Sequence, residues 1–109
     1  MSNPLYIYTK SYRNPTSNVD GYKTILGTDE NIEIFPHTVT GIAIKVSDNS
    51  VYVQLSNDGV SYDNKILMES DAYKNDTFTL SYMCKAVKFS NVNTSGSFNG
   101  KYQLLGFEV

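Results

Sequence analysis

The 109-residue chain is the length of one domain, 40% hydrophobic and 18% charged, with 9 basic against 11 acidic residues. A net charge of −2 gives no electrostatic footprint for nucleic acid. The single cysteine, Cys84, excludes an internal disulfide, and the single histidine, His37, excludes a multi-histidine metal centre. No apolar run approaches the roughly 20 residues that cross a bilayer as a helix, and Met1-Ser2-Asn3-Pro4 does not begin a signal peptide. These features predict neither membrane insertion nor export.

Nine tyrosines and five phenylalanines occur without a tryptophan, beside eleven Asn, twelve Ser and nine Thr. Aromatic and β-branched side chains suit a pleated, half-buried surface, and Asn, Ser and Gly supply turns. Alanine is confined to Ala43, Ala72 and Ala86, and good helix formers never cluster. The composition predicts an all-β domain.

Residues 1–21 read as an amino-terminal arm with one strand over residues 5–9, or as an edge strand of the main sheet, and residues 22–109 as the body. A short strand at residues 23–26 stops at Gly27. In residues 31–35, Ile32 and Ile34 point one way and Glu33 the other, outward, before Pro36 breaks the ladder. Ile42, Ile44 and Val46 share a face, as do Val51, Val53 and Leu55. Joined by Asp48-Asn49-Ser50, these two runs predict a β-hairpin. Further strands are expected at residues 65–68, 77–80, 85–90 and 102–109, with Val87, Phe89, Leu105 and Phe107 inside. About eight short strands without an intervening helical period predict an antiparallel β-sandwich or jelly roll.

The segment Ser56-Asn57-Asp58-Gly59-Val60-Ser61-Tyr62 resembles the Ser-x-Asp-Gly-x-x-aromatic strand–turn element of discoidin-like (galactose-binding-like) sandwiches and of small phage or prophage virion proteins. The closing Phe107-Glu108-Val109 is similar to their last strand. The likeness spans residues 40–109, and the missing disulfide and tryptophan set this chain apart from secreted members. It implies a capsid-decoration or tail protein made in the bacterial cytoplasm and located in the virion.

Catalytic sets are short of parts. His37 follows Pro36 in a loop, and Cys84 opens a strand, where a free cysteine is usually a small buried hydrophobe. The acids lie mostly in turns, where backbone geometry alone accounts for them. Asp58 with Asp63 and Asn64, or Asp29 with Glu30 and Asn31, could offer oxygens to calcium, but neither follows the spaced calcium-loop pattern. No catalytic residue, metal or cofactor is therefore expected.

Tyrosine joins apolar area to a polar tip, which suits interfaces and sugar surfaces alike. Tyr6, Ile7, Tyr8 and Tyr12 of the arm are the expected partner contacts, in a homo-oligomer or with other virion proteins. The predicted role is a non-enzymatic structural or interaction protein of a phage or prophage particle. The alternative is a carbohydrate-binding module, with Tyr52, Tyr62, Asn91 and Asn93 against a surface glycan.

Overall fold

The computed structural model describes residues 10–13, 22–69, 76–95 and 99–108; side chains of 10–13, 76–82 and 108 are not described. Among the described residues seven strands form: β1 (Lys10–Arg13), β2 (Lys23–Thr24), β3 (Glu30–Ser47), β4 (Val51–Ser56), β5 (Ile66–Met68), β6 (Asp76–Asn91) and β7 (Lys101–Glu108). All pairings are antiparallel within one sheet of order β1-β7-β3-β6-β4-β5, with β2 also on β7. No helix occurs among the described residues, so none there is long and apolar enough to cross a membrane.

β3 and β6 each merge two of the expected strands. Between Ile34 and Val39, five steps along β3 match two along β6 (Ala86 to Cys84); between Val39 and Gly41, two steps match five (Cys84 to Thr79). The surplus on one strand cancels that on the other, so pairing resumes after a local distortion of both. A bulge bends the strand that carries it, and this one contains Pro36, which has no N–H for a ladder.

The double bulge also switches faces. Before it, β3 buries Glu33 and Phe35; after it, Ile42, Ile44 and Val46. The expectation of an outward Glu33 is thus overturned: Glu33 is 7% exposed, whereas Ile32 and Ile34 are 46% and 63% exposed. Glu33 can be inside because Lys23 Nζ lies 2.9 Å from its Oε2 and the Tyr102 hydroxyl donates to the same oxygen at 2.5 Å. A buried carboxylate is tolerated only when paired and hydrogen-bonded in this way.

The expected hairpin between residues 42–46 and 51–55 does not form. β3 is already bonded to β6 on one side and β7 on the other, and β4 pairs instead with β5 and with residues 86–91 of β6. Asp48, at φ 73°, turns the chain out of one pair of ladders and into another. Both apolar sets still face inward, into one cluster with Ile25, Phe35, Val39, Met68, Cys84, Val87, Phe89, Tyr102 and Leu104.

β7 buries Tyr102 and Leu104, not Leu105 and Phe107, which are half-buried on the other face. Two close approaches hold this register. The Phe35 ring covers Gly106, where a Cβ would stand 2.4 Å from it, and the Phe107 ring covers Gly41, where a Cβ would stand 2.3 Å away. Phe89 and Tyr102 stack with ring centroids 3.8 Å apart, although β3 separates their strands in the sheet order. The sheet therefore bends enough to bring β7 over the second half of β6.

β1 lies along β7 of the same chain, with Tyr12 opposite Gly106. The strand expected at residues 5–9, and with it Tyr6, Ile7 and Tyr8, lies outside the described residues.

Candidate functional site

The side of the sheet opposite the core carries two adjoining features. Pairing places Glu30, Ser90 and Tyr52 in one cross-strand row, Ile32, Lys88 and Gln54 in the next, and Ile34, Ala86 and Ser56 in the third. Directly opposed residues share a face of an antiparallel sheet. Leu67 extends the first row beyond Tyr52 and is exposed. Ile32 and Ile34 stand at the β3 end of these rows, and exposed Met83 lies farther along β6.

Residues 56–65 fold over the centre of this face, and the motif behind the family likeness builds that fold. The Ser56 hydroxyl donates to Asp58 Oδ1, which also accepts the Val60 and Ser61 amides at 2.8 and 2.9 Å. The Gly59 amide donates to Ser56 Oγ at 2.8 Å, and Gly59 has φ 81°, in the region open to glycine. The Ser61 and Val60 amides, with help from Ser56, hold the Asp58 carboxyl below its ordinary range. The Asp63 amide then donates to Leu55 O, and Gln54 Nε2 to Asp63 O. Ser-x-Asp-Gly here is turn chemistry.

The second feature is a polar cleft of about 500 Å³ at the end of the sheet, lined by Gly27, Thr28, Asp29, Glu30, Lys65, Ser90, Asn91 and Thr94. The β2–β3 turn, in which Asp29 N donates to Leu26 O at 2.8 Å, brings Thr28 and Asp29 to its edge. Asn91 secures the wall: its amide donates to Ile25 O and Gly27 O at 2.9 Å each, and its Oδ1 accepts from Gly100 N at 2.8 Å and Asn49 Nδ2 at 3.4 Å. Among the described residues, Ser90 Oγ is a buried side-chain polar atom without a partner.

The residues expected to meet a glycan are only partly brought together. Asn91 borders the cleft, but its side chain has spent all four hydrogen-bonding positions inside the protein. Tyr52 has Lys65 Nζ 4.9 Å from its ring centroid, and Tyr62 has Lys88 Nζ at 4.4 Å, so one face of each ring is occupied. Asn93 is exposed and binds the Ser95 amide. Inspection of single residues passed over Ser90, Lys65 and Thr94, which only the fold assembles.

In one of the oxygen sets considered for calcium, the Asn31 amide nitrogen donates to Thr24 O and to the Tyr102 hydroxyl. Among the described residues, no three acidic, histidine or cysteine side chains gather as metal ligands. Cys84 is fully buried, its thiol donates to Ala86 O at 3.4 Å, and burial pushes that thiol above its ordinary titration range. His37 is exposed in the bulge.

Comparison with protein-family models, with curated proteins and with solved structures yields no match.

Proposed function

We propose that this chain is a non-enzymatic structural or interaction protein, a capsid-decoration or tail component of a phage or prophage particle, that associates with copies of itself. The bent sheet is read as the two layers of a β-sandwich, whose outer face at β3 is the contact surface. One observation carries the association: β3 turns Glu33 inward and leaves Ile32 and Ile34 in water. Burying an isoleucine side chain stabilises by about 1.5–3 kcal/mol, and the opposite register would hide both. A chain that holds the inverted register with a specific Lys23–Glu33–Tyr102 lock keeps an apolar pair available for another surface. The virion assignment rests on the sequence likeness, and Tyr6, Ile7, Tyr8 and Tyr12 belong to the same proposal as further contacts.

Ile32→Thr with Ile34→Thr keeps β-branching, changes only exposed positions and removes apolar area. By light scattering, the parent is expected to gain mass with concentration and the double variant to remain monomeric with an unchanged thermal midpoint. Equal masses at every concentration would remove the isoleucines from the interface; a monomeric parent at high micromolar concentration would end the self-association reading.

The polar cleft favours a second reading, a saccharide-binding module, because it gathers the side chains of Thr28, Asp29, Glu30, Lys65 and Thr94.

A further inference from the structure

The geometry points to the way in which two copies meet: resting on the self-association reading, we infer that the first half of β3 is an open strand edge that pairs antiparallel with the same edge of a second copy, about a two-fold axis at Ile32. On the side away from β6, the ladder of β3 with β7 covers residues 41–47. Residues 30–34 are bonded to residues 86–90 of β6, and among the described residues no strand pairs with them on their other side. Lys23 and Thr24 of β2 reach this stretch through the Glu33 and Asn31 side chains, on the core side, and form their own ladder with β7.

Open edges are normally blunted by lysine, proline, a bulge or an inward-pointing charge. Here the bulge and Pro36 begin where the stretch ends, and residues 31–35 contain neither lysine nor proline. The inward charge, Glu33, is met by Lys23 at 2.9 Å and by the Tyr102 hydroxyl, so a strand laid beside it isolates no new charge. On the opposite face the edge carries exposed Ile32 and Ile34. Two isoleucines make a small patch. Main-chain hydrogen bonds along the edge supply the affinity that the patch lacks, and side-chain alternation fixes the register.

Charge selects the second copy and the pairing. Asp29 and Glu30 stand exposed at the start of the edge. Lys85 is fixed at its end, where Nζ donates to Phe35 O at 2.8 Å and to Pro36 O at 3.4 Å and keeps one ammonium hydrogen for a carboxylate. An edge that is acidic at one end, apolar in the middle and basic at the other is complementary to its own antiparallel copy. With Ile32 opposite its counterpart, Glu30 falls opposite Ile34 and Asp29 opposite Phe35, toward the strand end that holds the other copy's Lys85. The four isoleucines then share one face, Asn31 stands opposite Glu33 on the other, and each contact occurs twice, as a two-fold requires. Centring the axis on Glu33 instead would set like charges directly opposite.

Hydrogen–deuterium exchange on the full chain and disulfide trapping test the pairing together. As the protein is concentrated into the high micromolar range, the edge-directed amides among residues 31–35 should exchange more slowly, in step with the gain in mass. In a Cys84→Ala background, Ile32→Cys should oxidise to a disulfide-linked dimer, because directly opposed residues have Cβ atoms about 4.5–5.5 Å apart. Ile34→Cys should not, since four residues of strand, roughly 13 Å, separate it from its counterpart. Glu30→Lys should raise the dimer dissociation constant about tenfold. A parent that stays monomeric at high micromolar concentration ends both the self-association reading and this inference. A dimer whose edge amides exchange at the monomer's rate, and in which Ile32→Cys does not cross-link, keeps the reading and overturns the edge pairing. Edge amides already slow in dilute monomer would show that the chain covers the edge itself and would overturn it too. Cross-linking through Ile34→Cys in place of Ile32→Cys would overturn the pairing proposed.

Discussion

Replacing Val53 by aspartate is expected to leave the protein largely unfolded in water. Val53 is fully buried, opposite Phe89 of β6 on one side and Ile66 of β5 on the other. The substitution forfeits about 1.5–3 kcal/mol of apolar burial and puts a carboxylate among the apolar side chains of the core, at a further cost of several kcal/mol. Against the roughly 5–15 kcal/mol of total stability typical of such domains, the sum removes most or all of the margin. Thermal denaturation followed by circular dichroism checks it. A variant melting within about 2 °C of the parent would show that β4 does not face the core.

Glu33→Ala is expected to cost about 2–4 kcal/mol, although a charged residue in a strand is replaced by a small neutral one. The alanine leaves the Tyr102 hydroxyl with only the 3.4 Å contact from Asn31 and leaves Lys23 without its partner. Lys23 is about one-third exposed and can turn to water, which keeps the cost below that of a fully buried pair. Glu33→Gln should lose less, since an amide oxygen still accepts from Tyr102. The same network sets an alkaline limit. Burial first, and then the bond to Glu33, push the Tyr102 phenol far above its ordinary titration range. Above about pH 10 the unfolded chain loses that proton while the folded chain keeps it, so stability falls as pH rises beyond this point and is flat below it. In Tyr102→Phe that alkaline slope should be reduced, as measured by chemical denaturation at a series of pH values.

These effects show what could and could not be seen in the amino-acid order. Period-two alternation correctly marked Ile42, Ile44, Val46, Val51, Val53, Leu55, Val87 and Phe89 as interior, because each run has one apolar and one polar face. Alternation says which face is buried and nothing about which strand lies beside it. The same pattern therefore fits a hairpin between β3 and β4 and the arrangement found, in which β6 comes between them. In β3 the even-numbered apolar positions Ile32 and Ile34 keep the parity of Ile42, Ile44 and Val46, so alternation alone puts all five on one face. The bulge that flips the face depends on a matching bulge in β6, and Glu33 is held by Lys23 and by Tyr102, which is 69 positions away. In β7 both parities are apolar, so the choice of Leu104 over Leu105 was left to Tyr102 against Phe89 and to Phe35 over Gly106. The cleft was hidden for a similar reason, because its lining comes from four separated stretches of chain.

The inverted face of β3 is the centre of this account, and the labelling rate of a single thiol placed on it tests both its exposure and its use. In a Cys84→Ala background, which removes the native buried thiol, Ile34→Cys should react with a maleimide at nearly the rate of a free thiol when the protein is dilute. As protein concentration rises and copies associate, the rate should fall in step with the increase in mass. A rate that is slow even in dilute monomer would mean that the chain covers this face itself, and one that stays fast at every concentration would mean that the isoleucines serve no self-association.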